Sequence, residues 1–119
     1  MPTPYHYGRR KKLQIGEFLE RRGFFWDRSP GSRGPGDILA KRNNNVYLIQ
    51  VKATRKGYTS YTRLTIDEEE KLIRVARKYK AQPALALTSR NFVWFVSVPG
   101  EKSLLKGELR PLRYDYFGK

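Results

Sequence analysis

Three polar residues near the middle of the chain have the types and spacing that phosphodiester chemistry uses: Asp37, Gln50 and Lys52. In an extended strand Gln50 and Lys52 point to the same face, about 6.7 Å apart along the chain. A carboxylate and an amide oxygen can bind Mg²⁺, and a neighbouring lysine can orient a water or stabilise the charge that develops during phosphodiester cleavage. These three residues are the candidate site.

A predicted β-hairpin would bring Asp37 to this pair. Two strand-like runs, 37–41 and 46–52, are joined by an asparagine-rich segment, and asparagine tolerates the positive φ of a hairpin turn. A four-residue turn sets Asp37 opposite Gln50 on one face of the sheet. Taken singly, Asp37 could be a turn residue and Lys52 a surface lysine, but the shared register favours a site.

The elements around the hairpin indicate an α/β fold. Apolar periodicity predicts a first helix at 11–22 and a second at about 66–80, where Thr65 and Glu68 form a capping box. The other predicted strands are 24–28, 84–88 and 92–98. We therefore expect a five-stranded mixed sheet with flanking helices. 

The remaining segments are predicted to be irregular. Residues 1–8 form an N-terminal arm, the segments 29–36 and 53–63 form loops, and 99–119 have no clear period. At 119 residues the chain has room for one domain, which we place at 9–98 with 99–119 as its C-terminal extension.

Composition limits the metals and partners. With zero cysteines and one histidine, any metal must have oxygen ligands. The absence of a long apolar run or a secretory signal leads us to expect a cytoplasmic protein, associated with DNA and not with a membrane.

The charge of the chain points to a polyanion. Lys and Arg number 25 against 11 Asp and Glu, a net +14, and the excess is concentrated in residues 1–63, with 14 basic against 4 acidic side chains. Candidate DNA-binding residues surround the site: Arg9, Arg10, Lys11, Lys12, Arg28, Ser32, Arg33, Arg55 and Lys56.

From about residue 8 to residue 98 the sequence resembles the PD-(D/E)XK nucleases, which have a restriction-endonuclease-like core, and within them the archaeal Holliday junction resolvases. The segments that carry the resemblance are Gly23-Phe24, Arg28-Ser29-x-Gly31-Ser32, Asp37-Ile38-Leu39-Ala40, Ile49-Gln50-Val51-Lys52, the capped helix with Pro83 after it, and Val93-Trp94-Phe95.

The resemblance implies roles for the site residues. Asp37, the residue at Gln50 and the Val51 carbonyl would bind the metal, Mg²⁺ in an active protein, and Lys52 would be catalytic. It also implies four-way or branched DNA as the ligand, in recombination and repair. Because a four-way junction has two cleavage points, it further implies a homodimer with the second helix near the interface, at Val75 and Tyr79.

Two residues depart from the family pattern. Gln50 stands where resolvases carry glutamate, and Lys12 stands where they carry a glutamate on the first helix. Glu17 is a poor substitute, because it lies about 140° around the helix from Lys12. The departures add three positive charges, each worth on the order of 4 kcal/mol at about 4 Å and an effective dielectric near 20. We expect DNA binding to persist and the nuclease to be weakened or lost.

Two alternatives stay open. The protein could be an active Mg²⁺-dependent junction endonuclease with Gln50 as a ligand, since Mrr-type restriction endonucleases look similar with glutamine at that position. It could also be a general basic protein that binds RNA or duplex DNA without preference for branched structures.

Overall fold

Two helices flank one six-stranded sheet in a computed structural model of the protein, which describes residues 4–28, 36–54 and 64–111. The helices are α1 (Pro4–Glu20) and α2 (Ile66–Lys78). The strands are β1 (Phe25–Arg28), β2 (Ile38–Arg42), β3 (Asn45–Thr54), β4 (Gln82–Ser89), β5 (Phe92–Ser97) and β6 (Ser103–Glu108). The predicted mixed α/β fold is confirmed, with six strands in place of five.

The strands lie side by side in sequence order. Every neighbouring pair is antiparallel except β3 and β4, which are parallel. A parallel connection has to cross from one end of the sheet to the other, and α2 makes this crossing. The crossover therefore sets α2 beside the strand that carries Gln50 and Lys52.

The β2–β3 hairpin has the predicted register. Lys41 pairs with Val46 and Ile38 with Ile49, and Asn43 in the turn has a φ of 56°. Just before β2, the Asp37 amide donates to the carbonyl of Ile49, the partner of Ile38, at 2.8 Å.

The two faces of the sheet are covered by different helices. Ile38 and Ile49 lie in a buried cluster with Phe18 of α1, whereas Leu48 lies in a second cluster with Leu72 of α2. Since side chains alternate along a strand, residues next to Ile38 and Ile49 face the α2 side. Gln50 and Lys52 are therefore on the same face as α2.

Helix α1 lies very close to β1. A Cβ added at Gly16 would collide with the Trp26 ring, so only glycine permits this approach. The Trp26 indole also donates to the Glu20 carboxylate at 2.7 Å. These contacts fix α1 against the edge of the sheet, and Lys12 lies about one turn before Gly16.

Helix α1 begins seven residues earlier than predicted, at Pro4. Residues 4–8 of the predicted arm are thus helical. Proline is favoured at the first helical position because its missing N–H is not needed there. The Pro, Tyr and Gly content of residues 1–8 predicts irregular structure, and this prediction is wrong for residues 4–8.

Strand β6 lies within 99–119, the segment for which the sequence predicts no helix or strand. It pairs with β5, with Phe95 opposite Leu105 and a register shift between Phe95 and Val96. Only glycine fits at Gly107, because an added Cβ would lie 2.7 Å from the Phe18 ring. Strand β6 is an edge strand with glycine and charged residues, so its sequence lacks the alternation of a half-buried strand.

Helix α2 confirms the predicted capping box: the Thr65 hydroxyl accepts from the Glu68 amide, and the Glu68 carboxylate accepts from the Thr65 amide. Across the part of the chain that the structure describes, neither helix is long and apolar enough to cross a membrane.

Candidate functional site

Both carboxylate oxygens of Asp37 are bound by donors of the chain itself. Oδ2 accepts from the Val51 amide at 2.8 Å and from Gln50 Nε2 at 3.0 Å, and Oδ1 lies 3.0 Å from Lys12 Nζ. Asp37 and Gln50 thus lie in contact, as the hairpin register predicts. Their arrangement differs from the predicted one, because a lysine ammonium occupies one side of the carboxylate and an amide nitrogen the other.

The Gln50 side chain bonds to two consecutive residues just before β2, Gly36 and Asp37. Its Oε1 accepts from the Gly36 amide at 2.7 Å, while its Nε2 donates to Asp37. The amide can satisfy both partners in this orientation only, because the backbone N–H needs an acceptor and the carboxylate needs a donor. The Gln50 oxygen, which would be the metal ligand, therefore faces Gly36.

The backbone and packing at position 36 require glycine. The φ of Gly36 is 95°, and an added Cβ would lie 2.7 Å from the Leu48 side chain. This left-handed residue turns the chain into β2 and presents its N–H to Gln50.

Two neighbouring lysines on α1 have different surroundings. Lys12 has a side-chain exposure of 45% and pairs with Asp37, which is 17% exposed. Lys11 is only 6% exposed, and its ammonium donates to the Arg90 carbonyl in the β4–β5 turn. Burial, and then the charge of Arg10, lower the pKa of Lys11. Lys11 was predicted to bind DNA, and its burial does not support that role.

Lys52 pairs with a residue that the sequence analysis assigned only to a helix cap. Its Nζ lies 2.9 Å from Oε2 of Glu68, while Oε1 of Glu68 accepts from the Thr65 amide at 2.9 Å. The hydrogen bond from the Thr65 amide, followed by that from Lys52, lowers the pKa of Glu68. The capping box could be read from the spacing of Thr65 and Glu68, but the contact with Lys52 is tertiary.

The donors at Asp37 do not fit a divalent cation as they are arranged. Mg²⁺ needs several oxygen ligands in a near-octahedral arrangement. Asp37 is already paired with an ammonium, and the Gln50 group that faces it is the amide nitrogen. Within residues 4–28, 36–54 and 64–111, no three His, Cys, Asp or Glu side chains are grouped so that they could hold a metal ion.

The other predicted binding residues divide into two groups. Arg9, Arg10 and Arg28 are exposed. Four further predicted DNA-binding residues lie outside the described residues: Ser32, Arg33, Arg55 and Lys56.

The predicted interface residues, Val75 and Tyr79, are half-buried and pack against the α2-side cluster. An interface could therefore use only the part of each side chain that remains exposed after packing against this cluster.

A hairpin that sets an aspartate opposite a Gln-x-Lys strand, followed by a helical crossover to a parallel strand, defines an α/β fold of the PD-(D/E)XK nuclease class. Comparison with protein families then specifies the group. The model of the family "Archaeal Holliday junction resolvase (Hjc)" matches residues 4–108, and this chain belongs to that family. The match includes the start of α1 and all of β6, both of which extend beyond the predicted 9–98 domain.

Two relatives illustrate the match. The crossover junction endodeoxyribonuclease Hjc of Methanocaldococcus jannaschii is 26% identical over 124 residues, which cover 98% of this chain and 89% of the relative. The structure of Hjc, a Holliday junction resolvase from Archaeoglobus fulgidus, is 28% identical with a TM-score of 0.65, covering 83% of this chain and 85% of that one.

Proposed function

We propose that this chain is a structure-specific DNA-binding protein that binds four-way or branched DNA and whose metal-dependent nuclease is weakened or lost. Family membership and the net charge of +14 support the binding. The observation that carries the loss of nuclease activity is the Lys12 ammonium 3.0 Å from Asp37. In that position it repels a divalent cation at the carboxylate on which the metal would depend.

The proposed DNA surface combines the site with its basic surroundings. Exposed Arg9 and Arg10 precede Lys12 on α1, and exposed Arg28 ends β1. Arg side chains on such a surface would bind backbone phosphates without reading sequence. From their positions in the sequence we add four further residues to this surface: Ser32, Arg33, Arg55 and Lys56.

The charges of the site support DNA binding together with a lowered metal affinity. Lys12 with Asp37 and Lys52 with Glu68 form two ion pairs, so these four side chains carry no net charge when no metal is counted. A divalent cation would have to displace the Lys12 ammonium and reverse the Gln50 amide, against a repulsion on the order of 4 kcal/mol per unit charge at about 4 Å. A DNA phosphate meets no such repulsion. In any residual nuclease, Asp37, Gln50 and the Val51 carbonyl would hold Mg²⁺ and Lys52 would be catalytic.

We also propose that two copies pair through α2. Val75 lies on α2, which covers one face of the sheet, Tyr79 is the C-cap residue of that helix, and both retain exposed surface. Two copies would match the two cleavage points of a four-way junction. Sedimentation of the wild type and of Val75→Asp should show a dimer and a monomer, respectively, and a monomeric wild type would contradict the pairing.

Competition between DNA structures tests the binding function. Labelled four-way junction is bound first, and unlabelled junction or linear duplex of equal length then competes. We expect the junction to compete at much lower concentration than the duplex, with and without Mg²⁺. Equal competition by duplex or RNA would instead identify a general basic nucleic-acid-binding protein.

A further inference from the structure

The ion pair between Lys52 and Glu68 joins the candidate site to the first turn of α2. The two oxygens of Glu68 have separate partners: Oε1 accepts from the Thr65 amide at 2.9 Å, and Oε2 lies 2.9 Å from Lys52 Nζ. The Lys52 side chain is 32% exposed and that of Glu68 is 43% exposed, so solvent and ligands can reach the pair. Neither residue needs to move through the core to change partner.

A carboxylate and a phosphate bind a lysine ammonium in similar ways. Both ligands present a charged oxygen that accepts a short hydrogen bond from the ammonium. Lys52 lies on the same sheet face as Gln50, two residues beyond it on β3, and Gln50 contacts Asp37, so Lys52 would face DNA bound at the site. Glu68 takes up one donor of the Lys52 ammonium, which a backbone phosphate could otherwise use.

We infer that Glu68 is a resident anion on Lys52, and that a DNA phosphate displaces it when the DNA binds. This inference deepens the proposed function and rests on its claim that DNA binds at this face. It does not depend on whether the chain cuts DNA. Glu68 would then set the affinity of the site, because each binding event has to break its contact with Lys52.

Release of Lys52 leaves the helix cap intact. The cap uses Oε1 of Glu68 and both the hydroxyl and the amide of Thr65, whereas Lys52 contacts only Oε2. An exposed ion pair of this kind is weak. A phosphate that replaces the carboxylate also gains from the counterions that the DNA releases. The displacement therefore requires only that Lys52 Nζ exchange Oε2 of Glu68 for a phosphate oxygen.

Glu68→Gln tests the inference with little change in shape. The amide oxygen of glutamine can still accept from the Thr65 amide, as capping boxes with glutamine do, but the negative charge beside Lys52 is removed. Asp67→Asn is the matched control, because it removes one negative charge from the same helical turn at an exposed position. Far-UV circular dichroism and thermal unfolding would establish that both variants fold.

In fluorescence anisotropy with a labelled four-way junction at low salt, we expect Glu68→Gln to bind about threefold to fivefold more tightly than wild type, the factor that a weak exposed ion pair implies. Asp67→Asn should gain less than about twofold, since its charge is farther away and screened by salt. In a Lys52→Met background the gain from Glu68→Gln should vanish, because the two residues act as a pair.

Three results would overturn the inference: a Glu68→Gln affinity no greater than that of Asp67→Asn, a gain that persists in Lys52→Met, or a loss of affinity, which would make Glu68 a residue that positions Lys52. The wild type offers an independent check, because the ¹³C resonance of the Glu68 carboxylate should shift when the DNA is added, and an unmoved resonance would contradict displacement.

Linear duplex is measured alongside the four-way junction. If junction preference fails but the Glu68→Gln gain appears on duplex, the proposed function falls and this inference stands.

Discussion

The two ion pairs of the site differ in how far their carboxylates are committed. Asp37 is largely shielded, and its two oxygens receive three donors: the Lys12 ammonium, the Gln50 amide and the Val51 N–H. Glu68 is more exposed, and only one of its oxygens contacts Lys52. Two lysine–carboxylate pairs of similar length therefore have different consequences. In our proposals the closed pair at Asp37 opposes metal binding, whereas the open pair at Glu68 exchanges its carboxylate for a phosphate.

The largest expected effect comes from reopening the closed pair. Lys12→Glu with Gln50→Glu should restore both divalent-metal binding and junction cleavage, because it reverses all three added positive charges. Calorimetry with Mg²⁺ should show metal affinity at least about a hundredfold above wild type, a factor that corresponds to roughly 2.7 kcal/mol. Gln50→Glu alone should recover less, since an ammonium stays beside Asp37.

The double variant carries its own controls. Adding Asp37→Ala to it should abolish the restored cleavage, and its binding to DNA without metal should be weaker than that of wild type, because two carboxylates would face phosphate. Metal affinity that stays at the wild-type level in the double variant would show that charge at Lys12 and Gln50 is not what limits the site.

The second effect is on stability. Asp37→Ala leaves the Val51 amide, the Gln50 amide and the Lys12 ammonium without their common acceptor, so we expect a loss of about 2 kcal/mol in the free energy of unfolding. Lys52→Met leaves the cap of α2 intact and should cost less than about 1 kcal/mol. Urea unfolding measures both, and equal losses would remove the distinction between a closed and an open pair.

The sequence predicted the backbone of the site better than its polar contacts. The β2–β3 register depends on local turn chemistry and on the residue pattern of the two strands, and both can be recognised in the sequence. The Glu68 cap is local as well, because Thr65 and Glu68 are three residues apart. The bond from Glu68 to Lys52 spans 16 residues and depends on the crossover of α2, which spacing does not reveal.

Neighbouring residues on α1 show the same limit. Lys11 and Lys12 are adjacent and chemically identical, yet consecutive helical residues point about 100° apart. One ammonium therefore lies against the Arg90 carbonyl and the other against Asp37. The sequence placed both in a basic surface, because the turn that accepts from Lys11 lies 79 residues away.

This contrast yields a third, smaller prediction. Arg9→Ala should lower the slope of log affinity against log salt concentration by about 0.9, with little change in stability, because it removes one exposed phosphate contact. Lys11→Ala should do the reverse: the slope stays near that of wild type, and the free energy of unfolding falls by about 1 kcal/mol through the lost hydrogen bond. An unchanged slope in Arg9→Ala would move the DNA-binding face away from α1.

The smallest expected effect is on the stability of the protein at acid pH. The folded pKa of Glu68 lies below its ordinary value of 4.5, so in that range the unfolded chain binds more protons than the folded one. The contribution of Glu68 to stability is therefore present above pH 4.5 and is lost as the pH falls through the lowered folded value. The difference in unfolding free energy between wild type and Glu68→Gln should shrink across this range. A difference that grows on acidification would give the shift the opposite sign.

The most direct test of the central claim is a cleavage time course on an end-labelled four-way junction with Mg²⁺, comparing the wild type with Asp37→Ala. If the Lys12 ammonium and the Gln50 amide exclude the metal from Asp37, the wild type should bind the junction and cut it far more slowly than the Lys12→Glu, Gln50→Glu variant. Wild-type cleavage as fast as that of the double variant, abolished by Asp37→Ala, would contradict the account and establish a working nuclease with glutamine as a metal ligand.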